Sequence, residues 1–475
     1  MENNSLFKTL LRRFTAAQED AIAFSIYDGQ NIANFSYSQF AKDILTAAGY
    51  FKENKICNQH IALLAPNSYE WLVAFFAVFA TGNTAILLNP DLPPELLQQQ
   101  CEHADVSLIC AENILASEVF ADGSLDWVSF AQLKTADALS VEAFYDYEPN
   151  DTVIMMFTSG TTGKSKAVEY SADNVQSYLE NLLEIMVLPD KMLLVVPLYH
   201  ILGLMATLFR LINLQTVCIG RGMRYLIADI PVLNPSYISM VPSVMDSLVK
   251  LLKHSKTDEQ RQRYIGNQLE RISVGGAGVK PELCRYMLQL GIQIQSAYGM
   301  SETTGTGTCC FLNENNIGTI GKPYGRTKLR IADGEILIKS PSVMKGYYKD
   351  PEETAKVIVD GWLHTGDMGY CDEDGYYYIT GRKKNVIILS NGENVNPEEI
   401  EAKFGECEDI EECLVYSDGK GICADIFTKD QASVKSFVKA YNESMPFYRQ
   451  VYKINYTEEP LPKTGSGKIK RKENL

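Results

Sequence analysis

Residues 60–88 read HIALLAPNSYEWLVAFFAVFATGNTAILL. The run 60–64 is apolar and has the length of a buried strand, and Asn67-Ser68 carries side chains that can cap a helix. The segment that follows is apolar on almost every side, and 85–88 is a second strand-like run. Strands that are apolar on both faces, joined through a helix, indicate a mostly parallel sheet covered above and below. The polar interruption Thr81-Gly82-Asn83-Thr84 leaves two pieces too short to cross a bilayer, so no transmembrane segment is expected in this stretch.

The same rhythm extends outward in both directions. An amphipathic helix is predicted over 36–53, and strands over 153–157, 191–197, 237–241, 271–274 and 293–297. Beyond about residue 330 the texture changes. Strand-like pieces at 334–338 and 376–379 are separated by turn signals such as Asp374-Gly375, which indicates a small β-rich unit. A charged run at 381–384 then meets an apolar strand at 386–389. The expectation is an α/β protein with a large N-terminal domain, residues 1–382, and a small α+β C-terminal domain, residues 383–475.

Composition narrows the partners. The chain has 475 residues, 46% hydrophobic and 22% charged, as in an ordinary globular protein. A net charge of −15 repels nucleic acid and anionic membrane. The 11 cysteines are scattered, with no pair at zinc-ligand spacing, which fits free thiols in a reducing cytoplasm. The vicinal Cys309-Cys310 reads as inert thiols rather than a redox pair. The opening MENNSLFKTLLRRF lacks the long apolar run of a secretory signal. Any anion must therefore be bound by local features. One is the basic C-terminus, where Lys463, Lys468, Lys470, Arg471 and Lys472 lie close together.

The strongest local signal is Thr158-Ser159-Gly160-Thr161-Thr162-Gly163-Lys164-Ser165-Lys166, directly after an apolar strand. Small and hydroxylated residues offer N–H and O–H donors to phosphate oxygens, and the lysines add charge. Gly163-Lys164-Ser165 matches the end of a Walker A loop, but Thr158 occupies the position five residues before it where that pattern requires glycine. A P-loop kinase is thereby disfavoured.

This loop resembles the phosphate-binding signature of the superfamily of acyl- and aryl-CoA synthetases, luciferases and nonribosomal adenylation domains. Further segments follow in that family's order. Pro197-Leu198-Tyr199-His200 with Gly203 is similar to its aromatic-histidine segment, and Gly275-Gly276-Ala277 to its nucleotide-facing turn. Ala297-Tyr298-Gly299-Met300-Ser301-Glu302-Thr303 is similar to its core motif. Trp362 through Thr365-Gly366-Asp367 matches the next one, Gly381-Arg382 with Asn391-Gly392-Glu393 the hinge segment, and 462–469 with Lys468 the C-terminal lysine motif.

The resemblance implies an AMP-forming ligase that uses ATP with Mg²⁺ to convert a carboxylic acid to an acyl-AMP, then passes the acyl group to a thiol. Glu302 would hold Mg²⁺ against the phosphates, Ser301 would donate to the α-phosphate, and adenine would stack on Tyr298. Asp367 would take the ribose hydroxyls with Arg382 beside it. Lys468 would bridge the substrate carboxylate and the α-phosphate, and Lys384 would be the hinge about which the C-terminal domain turns between half-reactions. His200 has two readings of equal weight: a residue that gates or orients the acid, or a core histidine satisfied by a backbone carbonyl. The thiol is coenzyme A or, alternatively, the phosphopantetheine of a carrier protein. Asn391 stands where some plant-type ligases carry a CoA-binding lysine. No carboxylate occurs between Met192 and Arg210, which disfavours an α-amino acid. The acid expected is an uncharged acyl or aryl body bordered by Tyr199, His200 and residues 240–245, 276–278 and 299–308.

Overall fold

The 60–88 stretch forms the strand His60–Leu64, the helix Tyr69–Val78, one 3-10 turn and the strand Thr84–Leu87. The strands are parallel, with Ile61 opposite Ala85. The structure, a computed structural model, describes residues 6–112, 119–120, 123, 125–158, 165–186, 189–305, 307–389, 393–463 and 469–472.

These strands lie inside a seven-stranded sheet of order Gly346–Tyr347, Lys166–Ser171, Thr152–Thr158, Thr84–Leu87, His60–Leu64, Val106–Ala111, Trp127–Ser129. From Thr152–Thr158 onward neighbours run parallel, while the first two strands attach antiparallel at one edge. A nine-stranded sheet has the order Lys322–Pro323, Thr308–Phe311, Gln293–Tyr298, Arg271–Val274, Tyr237–Met240, Lys191–Leu194, Thr216–Ile219, Ile22–Tyr27, Ile32–Ser36. Its centre is parallel and its edges antiparallel.

Side chains alternate across a strand with period two, so each strand feeds two cores. Ile61, Leu63, Ala85 and Leu87 join Met192, Leu194, Val217 and Ile219 of the other sheet in one inner core. Ala62, Leu64, Ile86 and Leu88 face outward into a second cluster, and Leu193, Cys218, Ile238 and Ile272 into a third. The helix Tyr69–Val78 belongs to the inner core, and every residue but Glu70 is buried. Beyond its first turn the helix has no solvent-facing side and needs no polar stripe, which accounts for its sequence. Phe76 packs against Phe7, Phe14, Phe40 and Phe75, with ring centroids 5.5–6.3 Å apart.

Four segments differ from expectation in detail. Ser68 caps the helix Tyr69–Val78, accepting from the Trp71 N–H. Asn67 instead reaches the turn after Lys191–Leu194: its amide donates to the Val196 carbonyl at 3.3 Å and its oxygen accepts from the Leu198 N–H at 2.7 Å. That strand stops at Leu194, short of Pro197, where a ladder donor would be missing. The predicted run 386–389 pairs only over Ile387–Ile388, and the run 376–379 continues as Tyr377–Arg382.

The chain divides into two compact units, residues 1–328 with 338–363, and residues 329–337 with 364–475. The first holds the two large sheets. The second includes the three-stranded sheet Glu412–Ser417, Ile422–Phe427, Val451–Thr457. The helices Pro397–Phe404 and Gln431–Ser444 close its core through Ile400, Phe404, Val434 and Val438, packed with Val415 and Ile426.

Candidate active site

Thr158 and Lys166 are ladder partners at the open end of the antiparallel pair Thr152–Thr158 and Lys166–Ser171. The Gly/Ser/Thr-rich segment therefore lies, in sequence, between two paired antiparallel strands. Ser159, Gly160, Thr161, Thr162, Gly163 and Lys164 lie outside the described residues. Next to them in sequence, the Ser165 hydroxyl donates to the Thr158 carbonyl at 3.1 Å. Lys166 Nζ forms an ion pair with Glu353 Oε2 at 2.7 Å and stands 4.8 Å over the Tyr347 ring.

The strand Gln293–Tyr298 carries half-buried Ala297 and Tyr298 at its carboxyl end, followed by Gly299 and the 3-10 turn Ser301–Thr303. In α/β sheets this end of the strands is where ligands bind. Thr304, in the left-handed region at φ 54°, reverses the chain, and its hydroxyl donates to the Ser342 carbonyl. Glu302 Oε1 accepts from the Tyr347 hydroxyl at 2.8 Å. Its other oxygen has no hydrogen-bond partner among the described residues. Ser301 lies beside the buried Tyr170 phenol, whose pKa is pushed up by burial and then by the Glu302 charge.

The strand Arg271–Val274 ends in Gly275-Gly276-Ala277. Gly276 adopts φ +80°, and both Gly276 and Ala277 are exposed. His200 begins the helix Ile201–Ile212. The turn ahead of it folds so closely on that helix that a Cβ at Gly203 would sit 2.3 Å from the Pro197 carbonyl oxygen. His200 is exposed, its ring lies 4.8 Å from the Tyr199 ring, and the ring has no carbonyl partner among the described residues. Crowding by surrounding protein lowers its pKa, which favours the neutral imidazole. The Tyr199 hydroxyl donates to Asp91 Oδ2 at 3.4 Å, a carboxylate outside the 192–210 window considered in the sequence.

In the second unit, Asp367 and Arg382 are ladder partners on the strands Trp362–Cys371 and Tyr377–Arg382. Arg382 Nε pairs with Asp367 Oδ1 at 2.7 Å, and Nη1 donates to the Thr365 carbonyl at 3.1 Å. The Asp367 side chain is 4% exposed and that of Arg382 42%. Lys384 is exposed within the 3-10 turn Lys383–Asn385. Lys468, Asn391 and Gly392 lie outside the described residues, but Lys463 and Ile469 bridge antiparallel across the segment that contains Lys468.

Family comparison identifies this arrangement. Residues 11–348 match the family model of the AMP-binding enzyme, and residues 384–475 match that of the AMP-binding enzyme C-terminal domain. This chain belongs to the AMP-binding enzyme family. A 2-succinylbenzoate–CoA ligase of Bacillus cytotoxicus is 29% identical over 87% of this chain and 88% of its own length. A long-chain-fatty-acid–CoA ligase of Bacillus subtilis is 26% identical over 99% of this chain and 94% of its own. Two solved structures of o-succinylbenzoate CoA synthetase (MenE) from Bacillus subtilis, one in complex with its acyl-adenylate intermediate and one with ATP and magnesium ion, each match with a TM-score of 0.83 at 24% identity. They cover 97% of this chain and 96% and 98% of theirs. The structural likeness establishes the fold.

Within this AMP-binding enzyme, two groups that sequence reading passed over stand behind the named ones. Tyr347 touches both Glu302 and Lys166. Glu335, 5% exposed, accepts from the Gly366 N–H at 2.9 Å and binds Lys383 Nζ at 2.8 Å and His364 Nδ1 at 3.2 Å. Burial pushes the Glu335 carboxyl up, but Lys383, the Gly366 N–H and His364 outweigh it and leave it below its ordinary 4.5. A charged residue inside the apolar strand run 334–338 was the available signal for Glu335. Among the described residues no cluster of three or more His, Cys, Asp or Glu could hold a metal alone. A single carboxylate with one oxygen open is instead the donor set Mg²⁺ uses when substrate phosphates and water complete its shell, so Glu302 fits that ion. Cys309 and Cys310 follow one another on a strand and so point to opposite faces. Burial pushes their thiols up to about 11 and about 12, which leaves neither activated. No helix among the described residues is long and apolar enough to cross a membrane.

Proposed function

We propose that this AMP-binding enzyme is an acid–thiol ligase that uses ATP to make an acyl-AMP and then an acyl-CoA. The observation that carries the reading is the near full-length match to enzymes named for CoA ligation, and the motif residues Glu302, Ser301, Lys166, Asp367 and Arg382 supply the chemistry it calls for.

In the first half-reaction a carboxylate oxygen of the acid attacks the α-phosphorus, the bond to the β-phosphate oxygen breaks, and diphosphate leaves. Charge grows on the α-phosphate, and fixed donors there lower the barrier. The 159–164 loop and Lys166 bind the β- and γ-phosphates, Ser301 donates to the α-phosphate, and Glu302 holds Mg²⁺, which neutralises phosphate charge when bound. Tyr298 stacks on adenine beside Gly276 and Ala277. Asp367 accepts the ribose hydroxyls, and Arg382 fixes its carboxylate. Lys468 bridges acid and α-phosphate. His200, neutral and against Tyr199, orients the acid without adding a charge.

In the second half-reaction the CoA sulfur attacks the acyl carbonyl carbon, the thiol proton passes to solvent, and AMP leaves. Residues 383–475 act as a mobile domain that turns about Lys384 between the two steps. The acid has an uncharged acyl or aryl body, and the free thiols suit the reducing cytoplasm.

A diphosphate-release screen over fatty acids, aromatic acids and 2-succinylbenzoate, with and without CoA, tests the function. Acid-dependent release together with thioester formation on adding CoA is expected. Release without thioester would move the acceptor to a carrier-protein phosphopantetheine. Lys468→Ala should raise the adenylation barrier by about 3 kcal/mol or more and spare thioester formation from supplied acyl-AMP. Equal loss in both steps would rule Lys468 out as a group specific to adenylation.

A further inference from the structure

We propose that Tyr347 is a positioning residue for ATP activation, a single ring whose hydroxyl fixes the Glu302 carboxylate and whose face steadies the Lys166 ammonium. The inference rests on the phosphate and metal roles proposed for Lys166 and Glu302.

The backbone of Tyr347 is fixed before its side chain acts. Gly346–Tyr347 pairs antiparallel with Lys166–Ser171, with Tyr347 opposite Val168. Its N–H donates to Thr354 Oγ1 at 2.9 Å, and the Thr354 hydroxyl donates in turn to the Asp350 carbonyl at 2.8 Å. Asp350 caps the helix Pro351–Val357 through the Glu353 N–H. That helix also delivers the Glu353 carboxylate to Lys166. The ring is 7% exposed, so few other orientations are open to it.

Its chemistry suits both neighbours. A phenol donates one hydrogen bond to Glu302 Oε1 and brings no positive charge, so the carboxylate keeps its full charge for a cation at its other oxygen. A lysine or arginine at this position would compete with that cation. Toward Lys166 the ring offers its electron-rich face at 4.8 Å, which attracts an ammonium without adding a counter-charge. Glu353, the formal partner of Lys166, also binds Lys356 through its second oxygen. Lys166 is thus held by a shared carboxylate and a neutral ring, a grip loose enough to release its charge to a phosphate.

The test reads formation of the enzyme–ATP–Mn²⁺ complex by water-proton relaxation on titrating the full-length protein, beside steady-state constants. Tyr347→Phe should weaken that complex about tenfold, the usual cost of losing a hydrogen bond to a metal-binding group, and leave KM for the acid within about twofold. Tyr347→Leu, which also removes the ring face, should lose about a further two- to fivefold in ATP affinity, an order-of-magnitude expectation for a lost cation–π contact. In a Glu302→Gln background, Tyr347→Phe should change Mn²⁺ binding by less than about twofold, because the hydroxyl acts through the carboxylate. Additive losses in the double variant overturn the proposal, as does unchanged Mn²⁺ binding in Tyr347→Phe when Glu302→Gln alone is impaired. Unchanged Mn²⁺ binding in Glu302→Gln removes the metal role of Glu302 itself, and this inference with it.

Discussion

Glu302 and Asp367 are both carboxylates in motifs of one family, yet their surroundings differ in kind. Glu302 sits in a short turn past the end of a parallel strand and accepts from a neutral phenol. Asp367 lies within an antiparallel strand, is almost fully buried, and faces a guanidinium across the ladder. A neutral donor leaves negative charge available for a cation, whereas a paired guanidinium neutralises it and leaves geometry for hydroxyl groups. The roles proposed above fit this difference: an electrostatic task at Glu302 and a shape-reading task at Asp367.

Substitutions that keep shape and remove charge separate these tasks most sharply at Glu302. Glu302→Gln should cut acid-dependent diphosphate–ATP exchange by about 10²- to 10³-fold and raise the Mg²⁺ needed for half-maximal rate. Asp367→Asn should raise KM for ATP by about tenfold, the worth of a hydrogen bond to a charged group, with the Mg²⁺ requirement unchanged. If both variants altered the metal requirement alike, the contrast would be wrong.

The smallest effect concerns support for Asp367. Glu335→Gln keeps an acceptor for the Gly366 N–H but loses the pair with Lys383, whose side chain is 59% exposed and therefore screened. We expect a loss of about 0.5–1 kcal/mol at pH 7, read from urea unfolding. The folded-state pKa of Glu335 lies below 4.5. Its stabilisation is thus present above pH 4.5 and disappears as the pH falls through the folded-state value. The gap between wild type and Glu335→Gln should close over that acidic range.

Most of this architecture was visible in one dimension because burial on both faces writes continuous apolar runs. The 60–88 stretch therefore read correctly as strand, helix and strand, and Glu302 as a residue just past a strand end. Register between distant segments leaves no such trace. That Asp367 stands opposite Arg382 follows from a strand extending through Gly381, which the charged run at 381–384 obscured. Tyr347 was hidden for the same reason: its two partners lie 45 and 181 positions earlier in the chain, and only pairing with Lys166–Ser171 brings them together. Asn67, read as a cap, spends its amide on a turn more than a hundred positions away.

The pairing of Thr158 with Lys166 has a consequence for how this protein can change over evolutionary time. Residues added or removed between two ladder partners shift neither flanking strand. The sequence between them can thus be lengthened, shortened or rewritten while Lys166 keeps its anchored place, so the phosphate recognition proposed for that segment and the scaffold are free to vary independently of one another.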